Sequence, residues 1–479
     1  MDLRPYQTGT VTKIKEQFAA GCNRIVVCAP TGAGKTVIFS EISKLVYNAG
    51  KSVLIITNRK ELCSQTNNKL QDFYLIPDIL NANQKERPES RVVVSMVETL
   101  NRRLSKSDYL GFIQRFDLII IDECHIHSFD KIFSCMTEKQ RVLGFSATPY
   151  RKSIEKPLKN YYDTIITVCQ VGELVADGFL ARPISYGVPL SLAGLKMKGG
   201  DYDEQEMGKV YDDSVKYTGA IANYEKYAKN KKTIIFCATI QNSKFLTQMF
   251  FDSGYNAKHF DCYMLDSERK NVLDWFYSTN DAILCNVGIL TTGFDCPEIE
   301  CVLIYRATKM LPLFLQMVGR GSRVTPEKKD FTVLDFGNNC ATHGLWEIDR
   351  SWSLEPPKKR SNKKDAPMIK ECTACHAYIP INIKICPECG FIPIVKKKEK
   401  TEIEILLERL TPSETQRLAN SGTLTIEELE QVRELKGYKV GWVLFKLETL
   451  EQFKEYSKIK NYKNGWAEYQ WKIRTSDSE

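Results

Sequence analysis

Short, mainly apolar runs recur along this chain, separated by longer stretches in which apolar residues return at helical spacing. Arg24 to Cys28, Val53 to Ile56, Phe116 to Ile121 and Val142 to Phe145 form one set. A strand with one wet face would alternate, so these continuous runs predict strands buried on both faces of a parallel sheet. A second set follows at Thr233 to Cys237, Ala282 to Asn286, Cys301 to Tyr305 and Phe331 to Leu334. Two blocks of strand and helix units predict an α/β fold of two tandem lobes with parallel sheets. Between the sets, Gly199 to Asp213 is acidic and contains glycine, which predicts a surface loop entering the second lobe. Beyond Thr401 the pattern is helical: Thr411 or Ser413 opens a helix with Glu414 near its first turn. Tyr438-Lys-Val-Gly-Trp442 and Tyr462-Lys-Asn-Gly-Trp466 then repeat one pattern at an offset of 24 residues. Such aromatics serve as helix-packing anchors or, beside lysines, as stacking platforms for bases.

Chemistry is concentrated at the ends of the predicted strands. Ala29-Pro-Thr-Gly-Ala-Gly-Lys-Thr36 follows the first strand and has the composition of a phosphate-cradling loop. Thr31, Gly32, Ala33 and Gly34 let backbone N–H groups wrap phosphate oxygens at a helix N-terminus. Lys35 then reaches the β and γ phosphates of ATP, and Thr36 is a ligand for Mg2+. Asp122-Glu-Cys-His125 follows the run ending at Ile121, so a parallel strand delivers two carboxylates to its carboxyl end. Asp122 is expected to hold Mg2+ and Glu123 to orient and deprotonate the attacking water.

At this point the chain resembles the superfamily 2 helicases over roughly its first 340 residues. Leu3-Arg4-Pro5-Tyr6-Gln7 is similar to the adenine-recognising segment of that family, with Gln7 facing the base edge. Thr57 to Leu62, which includes Arg59, and Val93 to Val97 are similar to segments that meet the nucleic-acid backbone. Ser146-Ala-Thr148 resembles the motif whose hydroxyls link hydrolysis to the facing lobe. The continuation Pro149-Tyr-Arg151 looks like members acting on DNA duplexes. Leu290 to Pro297 resembles motif V, with Gly293 in a tight turn and Asp295 on ribose or in the coupling network. Gln316, Arg320 and Arg323 stand at i, i+4 and i+7, which predicts one face of a helix carrying a trans-acting arginine finger. The resemblance implies two RecA-like lobes closing on ATP.

Composition changes the picture in one region. The 479 residues carry a net charge of +8 and 43% hydrophobic residues, enough for two or three ordinary cores. The absence of a long apolar stretch or leader predicts a cytoplasmic protein with no membrane partner. Twelve of the sixteen cysteines are scattered, several inside strand runs, as buried thiols of a reducing compartment are. The other four, Cys372-x-x-Cys375 and Cys386-x-x-Cys389, have the spacing of one tetrahedral Zn2+ site. Cys372-x-x-Cys375-His376 is also a c-type haem attachment pattern, which leaves the second pair without a role. From Glu355 to Lys400 eleven Lys or Arg face five Asp or Glu, which predicts a basic linker and ribbon lying on phosphates.

The expected organisation is a first lobe at 1–180, a second at 181–350, a basic linker at 351–370, the zinc ribbon at 371–395 and a helical region at 396–479. Core, linker, ribbon and the C-terminal Gly-Tyr-Lys-x-Gly-Trp segment together resemble the RadD family of bacterial DNA-repair helicases and its phage relatives. That resemblance implies an ATP-, Mg2+- and Zn2+-dependent motor on single-stranded or branched DNA, working with replication or repair proteins in a bacterial or phage-infected cell. An RNA helicase shares every ATPase motif, and a motor subunit of a restriction or nuclease complex is the other alternative. The ribbon is expected to support DNA affinity separately from hydrolysis.

Overall fold

The computed structural model describes residues 3–58, 60–82, 87–104, 108–151, 153, 155–187, 195–212, 214–291, 293–356, 369–392 and 424–476. Arg59, the linker lysines at 358–364, Lys396 to Lys398 and the helix start expected at Thr411 or Ser413 lie outside them. The chain divides into two compact units, Met1–Pro393 and Ile394–Glu479.

The first unit is built on two parallel sheets, as the apolar runs predict. Strands β1 (Arg24–Cys28), β2 (Val53–Thr57), β3 (Asp78–Leu80), β4 (Val92–Met96), β5 (Leu118–Asp122), β6 (Arg141–Ser146) and β7 (Thr164–Thr167) pair in the order β3-β4-β2-β5-β6-β1-β7. Both β1 and β5 flank β6, with Cys28 beside Ser146 and Asp122 beside Phe145. This register gathers the phosphate-loop string, the acidic pair and the Ser146 string at one sheet end. Every residue of β2 and β5 is buried, because helices such as Lys35–Asn48 cover the sheet faces.

The second sheet holds β8 (Arg182–Gly187), β11 (Thr233–Cys237), β12 (Ala257–Phe260), β13 (Ile283–Asn286), β14 (Cys301–Tyr305) and β15 (Asp330–Asp335), ordered β12-β13-β11-β14-β15-β8. The acidic segment expected as a loop is instead ordered structure. A hairpin of β9 (Met197–Lys198) and β10 (Asp201–Tyr202) precedes a helix at Glu204–Tyr211. Two of its acidic residues are spent on structure: Asp203 Oδ1 caps the helix by accepting from Gln205 N and Glu206 N at 3.0 and 3.1 Å. Asp201 accepts from Thr308 Oγ1 and Lys309 N, both at 2.6 Å.

A ribbon of β16 (Ile369–Glu371) and β17 (Tyr378–Pro380) docks on the free edge of β8 through an antiparallel bridge between Tyr186 and Ala377. The Tyr378 ring fills the space where Gly187 has no side chain; any Cβ there would overlap it.

The second unit contains helices at Ile426–Lys436, Val440–Leu444, Leu450–Ile459 and Trp466–Ser476. The repeat read from two pentapeptides extends through the whole unit. Thr425 with Glu428 and Thr449 with Gln452 form equivalent capping boxes, and Gly437 (φ 71°) and Asn461 (φ 53°) are equivalent left-handed caps. Tyr438 packs on Trp442 at 4.9 Å and Tyr462 on Trp466 at 4.4 Å between ring centroids. All four rings are half-buried, so both pairs act as packing anchors. Glu430 joins the halves, bonded to Arg433, to Tyr456 Oη at 2.8 Å and to Lys460 Nζ at 2.7 Å. Among the described residues no helix is long and apolar enough to cross a membrane.

Candidate active site between the lobes

The loop after β1 turns on two glycines in left-handed backbone, Gly32 at φ 91° and Gly34 at φ 79°, before the helix starts at Lys35. Space as well as conformation demands glycine at the first: a Cβ on Gly32 would lie 2.5 Å from Arg323 Nη1 and 2.5 Å from a Leu180 methyl. The second lobe therefore sits directly over the phosphate loop. One cleft is lined by Thr31, Gly32, Gly34, Lys35, Thr36, Asp122 and Glu123 from the first lobe and by Gly293, Asp295, Gln316, Arg320 and Arg323 from the second.

Within the cleft, Lys35 Nζ donates to Glu123 Oε1 at 2.9 Å. Burial pushes the lysine down, but Glu123 and Asp122 more than offset it and hold it above its ordinary range. Burial pushes Glu123 up, and Lys35 with His125 outweighs that, leaving the carboxyl below its usual range. Asp122 goes the other way, pushed up to about 6 by burial and then by the Glu123 charge. A buried carboxyl under that load and the Thr36 hydroxyl, which lines the same cleft, are donor types expected for Mg2+. Glu123 also has left-handed backbone, φ 52°, where the chain turns out of β5.

The acidic string connects onward through His125. Its Nδ1 lies 2.9 Å from Ser146 Oγ and 3.5 Å from Glu123 Oε2, and burial holds the ring below its ordinary pKa. Arg151 is buried at 3% exposure and is built into this turn rather than offered to a partner. It donates to the carbonyls of Cys124, His125 and Ile126 and pairs with Asp130 at 2.8 Å. His125 stood in the quoted string without a role, whereas nothing local links Arg151 to Asp130 across 21 residues.

Across the cleft, the helix expected to carry Gln316, Arg320 and Arg323 on one face ends earlier. It spans Leu311–Val318, so both arginines follow it on a turn. The Gly319 N–H makes the last α-helical bond, to Leu315 O at 3.0 Å; Arg320 and Gly321 then donate only three residues back, to Met317 O and Val318 O, and Phe331 occupies the space beside Gly321. The arginines reach the cleft by way of motif V instead. Arg320 Nη2 donates to Thr291 O at 2.9 Å and its Nη1 to Phe294 O, while Arg323 Nε donates to Asp295 Oδ1 at 3.0 Å. Arg323 Nη1 is buried without a hydrogen-bond partner among the described residues, facing Gly32.

Lys328, which no motif pointed to, braces this arrangement. Its ammonium donates to Pro297 O, Ile299 O and Gly321 O at 2.6, 2.7 and 3.0 Å, and burial pushes its pKa down to about 8. Lys328→Met strands three carbonyl acceptors and is expected to lower stability by about 3 kcal/mol, read as a lower midpoint in thermal unfolding. An unchanged midpoint would show the brace to be redundant.

Two residues expected at the nucleotide, Gln7 and Arg4, are engaged with neighbouring protein groups. Gln7 is buried, with Nε2 donating to Ala33 O at 3.1 Å and Oε1 accepting from Arg4 N at 3.0 Å. The Arg4 guanidinium stacks over Phe179 at 4.3 Å from the ring centroid.

At the ribbon, Cys372 Sγ lies 3.8 Å from Cys389 Sγ, Cys375 Sγ lies 3.7 Å from Cys386 Sγ, and all four fall within 4.8 Å of one another. A tetrahedron of thiolates with Zn–S bonds of about 2.3 Å has edges of about 3.8 Å, so the four residues fit this ion.

Residues 1–151 match the family described as type III restriction enzyme, res subunit, and residues 216–325 match the helicase conserved C-terminal domain. A 51.5 kDa protein of a Lactococcus phage is 30% identical over 390 residues, 80% of this chain and 81% of that protein. The ATP-dependent helicase IRC3 of Saccharomyces cerevisiae is 30% identical over 359 residues, 70% of this chain, and the chain spans 51% of that helicase's length. A solved fragment of a type I restriction enzyme HsdR subunit from Vibrio vulnificus shares the fold, with a TM-score of 0.57 at 20% identity, covering 71% of this chain and 65% of that one. With two parallel-sheet lobes closing over one phosphate loop and these relatives across both, the chain belongs to the superfamily 2 helicases, a family of ATP-hydrolysing enzymes.

Proposed function

We propose that this protein is an ATP-driven translocase on DNA, with hydrolysis at the lobe interface and the DNA strand carried across both lobes. The observation carrying this reading is Arg323: a buried guanidinium nitrogen of the second lobe aimed at Gly32 of the first. Backbone N–H groups from Thr31 to Gly34 and Lys35 bind the β and γ phosphates. Thr36 and Asp122 hold Mg2+, which when bound neutralises phosphate charge. Glu123 takes the proton of the attacking water, and Arg320 and Arg323 stabilise charge developing on the γ-phosphoryl group, with Gln316 beside them. Asp295 belongs to the coupling network, since it holds Arg323. Gln7 and Arg4 serve the adenine side. Cys372, Cys375, Cys386 and Cys389 hold Zn2+, and a role in recombination, repair or replication follows from the likeness to RadD-type helicases. The division at 1–180, 181–350, 351–370, 371–395 and 396–479 is part of the same reading.

DNA is favoured over RNA because the match across the first lobe is to a restriction-enzyme subunit family. A panel of single-stranded DNA, branched DNA, duplex DNA and RNA tests this through ATPase stimulation. Single-stranded or branched DNA is expected to stimulate at least about tenfold more than RNA, with stimulation falling as salt rises; equal or greater stimulation by RNA would overturn the DNA reading.

A further inference from the structure

The ribbon touches the motor at a mechanically chosen place. Glu388 lies between Cys386 and Cys389, and both its oxygens accept from Arg182, at 2.8 Å from Nη1 and 3.1 Å from Nη2. The carboxylate is 14% exposed and the Arg182 side chain 40%, and the remaining Arg182 nitrogen, Nε, donates to Asp330 Oδ1 at 3.3 Å. Arg182 opens β8, the first strand after the chain crosses between the lobes. The residue before it, Ala181, donates from its N–H to Ser322 O at 2.8 Å, one residue from Arg323. The residue before that, Leu180, places its methyl against Gly32. Three consecutive residues thus touch the ribbon, the arginine turn and the phosphate loop.

We infer that Glu388 is a positioning residue for ATP hydrolysis: by holding Arg182 it fixes Ala181 and Leu180, and through them the spacing between Arg323 and the phosphate loop. The inference rests on the ATPase reading above and revises the expectation that hydrolysis is indifferent to the ribbon. Glu388 touches no phosphate, so its loss should act on turnover and not on nucleotide affinity.

The test uses full-length, zinc-loaded protein with single-stranded DNA and compares wild type, Glu388→Gln, Glu388→Arg and the exchange of Glu388→Arg with Arg182→Glu. Readouts are kcat, KM for ATP, affinity for a fluorescent ADP and zinc per chain. Glu388→Gln is expected to lower kcat about fivefold and Glu388→Arg about twentyfold, with KM and ADP affinity within about twofold. Zinc stays at about one per chain, and the exchange recovers kcat to within about threefold of wild type. Unchanged kcat in Glu388→Arg, parallel loss of affinity and kcat, or an exchange no better than the single variant overturns the inference. Should Glu388→Arg fail to fold or lose zinc, Glu388→Gln decides alone, and an unchanged kcat there is equally fatal. Wild type without ATPase activity would refute the motor reading and this one with it, whereas active wild type with indifferent Glu388 variants refutes only the positioning role.

Discussion

Glu123→Gln is expected to lower kcat for ATP hydrolysis about 10³-fold while nucleotide affinity stays within about threefold. The amide has the size of the carboxylate and can still accept from Lys35, whose Nζ lies 2.9 Å from Glu123 Oε1. It cannot take a proton from water. The other oxygen, Oε2, is buried 3.5 Å from His125 Nδ1 with no hydrogen-bond partner among the described residues, so Lys35 aims the side chain and an isosteric replacement keeps that bond. The phosphate-binding groups, the loop amides and Lys35, are untouched by the change. Fluorescent-nucleotide titration beside steady-state ATPase separates the two effects. Hydrolysis near the wild-type rate would remove Glu123 from the role of base.

Arg323→Ala is expected to reduce kcat by about 10³-fold, the scale of a guanidinium that stabilises charge in phosphoryl transfer. In this structure its Nε is spent on Asp295 at 3.0 Å while Nη1 faces the phosphate loop, so one planar group is both held and aimed. A lysine lacks that fork, and Arg323→Lys is therefore expected to recover less than about a tenth of the lost rate. Asp295→Ala, which frees the guanidinium without removing it, should fall between. The measurement is single-turnover hydrolysis with ATP prebound, which excludes effects on binding. Rapid hydrolysis in Arg323→Ala would assign the trans-acting charge to Arg320.

The fold was legible because the central strands of both sheets are buried on both faces, and burial writes itself into sequence as mainly apolar runs. The β2 and β5 strands match the runs from Val53 and Phe116 to within two residues at either end. The phosphate loop was legible because its glycines answer a local steric demand. What escaped was whatever depends on contacts far apart in the chain. The helix ahead of Arg320 follows helical spacing on paper, yet Phe331 beside Gly321 turns the chain aside. Arg151 is read only through the likeness of Pro149-Tyr-Arg151 to members acting on DNA duplexes, and it is a buried clamp of the His125 turn. The pair of Arg182 and Glu388 spans 206 residues, and no periodicity reports a bond of that length. In the acidic segment after Gly199, capping by Asp203 was masked by a composition that also suits a loop.

The seat of β8 at the end of its sheet sets an order of events during synthesis. Its neighbour is β15, paired from Arg182 with Asp330, a separation of 148 residues. A ribosome needs about 7 to 30 s to make that length of chain, and β8 emerges long before its partner exists. An unpaired strand is a template for the wrong neighbour. The Arg182 N–H points to Lys329 O, so by alternation the nitrogen of Pro183 falls on the outer side, where a proline removes one donor from the open edge. The ribbon, made after both lobes, then covers that edge at Tyr186. Nascent chains halted before residue 330 should consequently be the species most dependent on chaperones, and those released after the second cysteine pair the least.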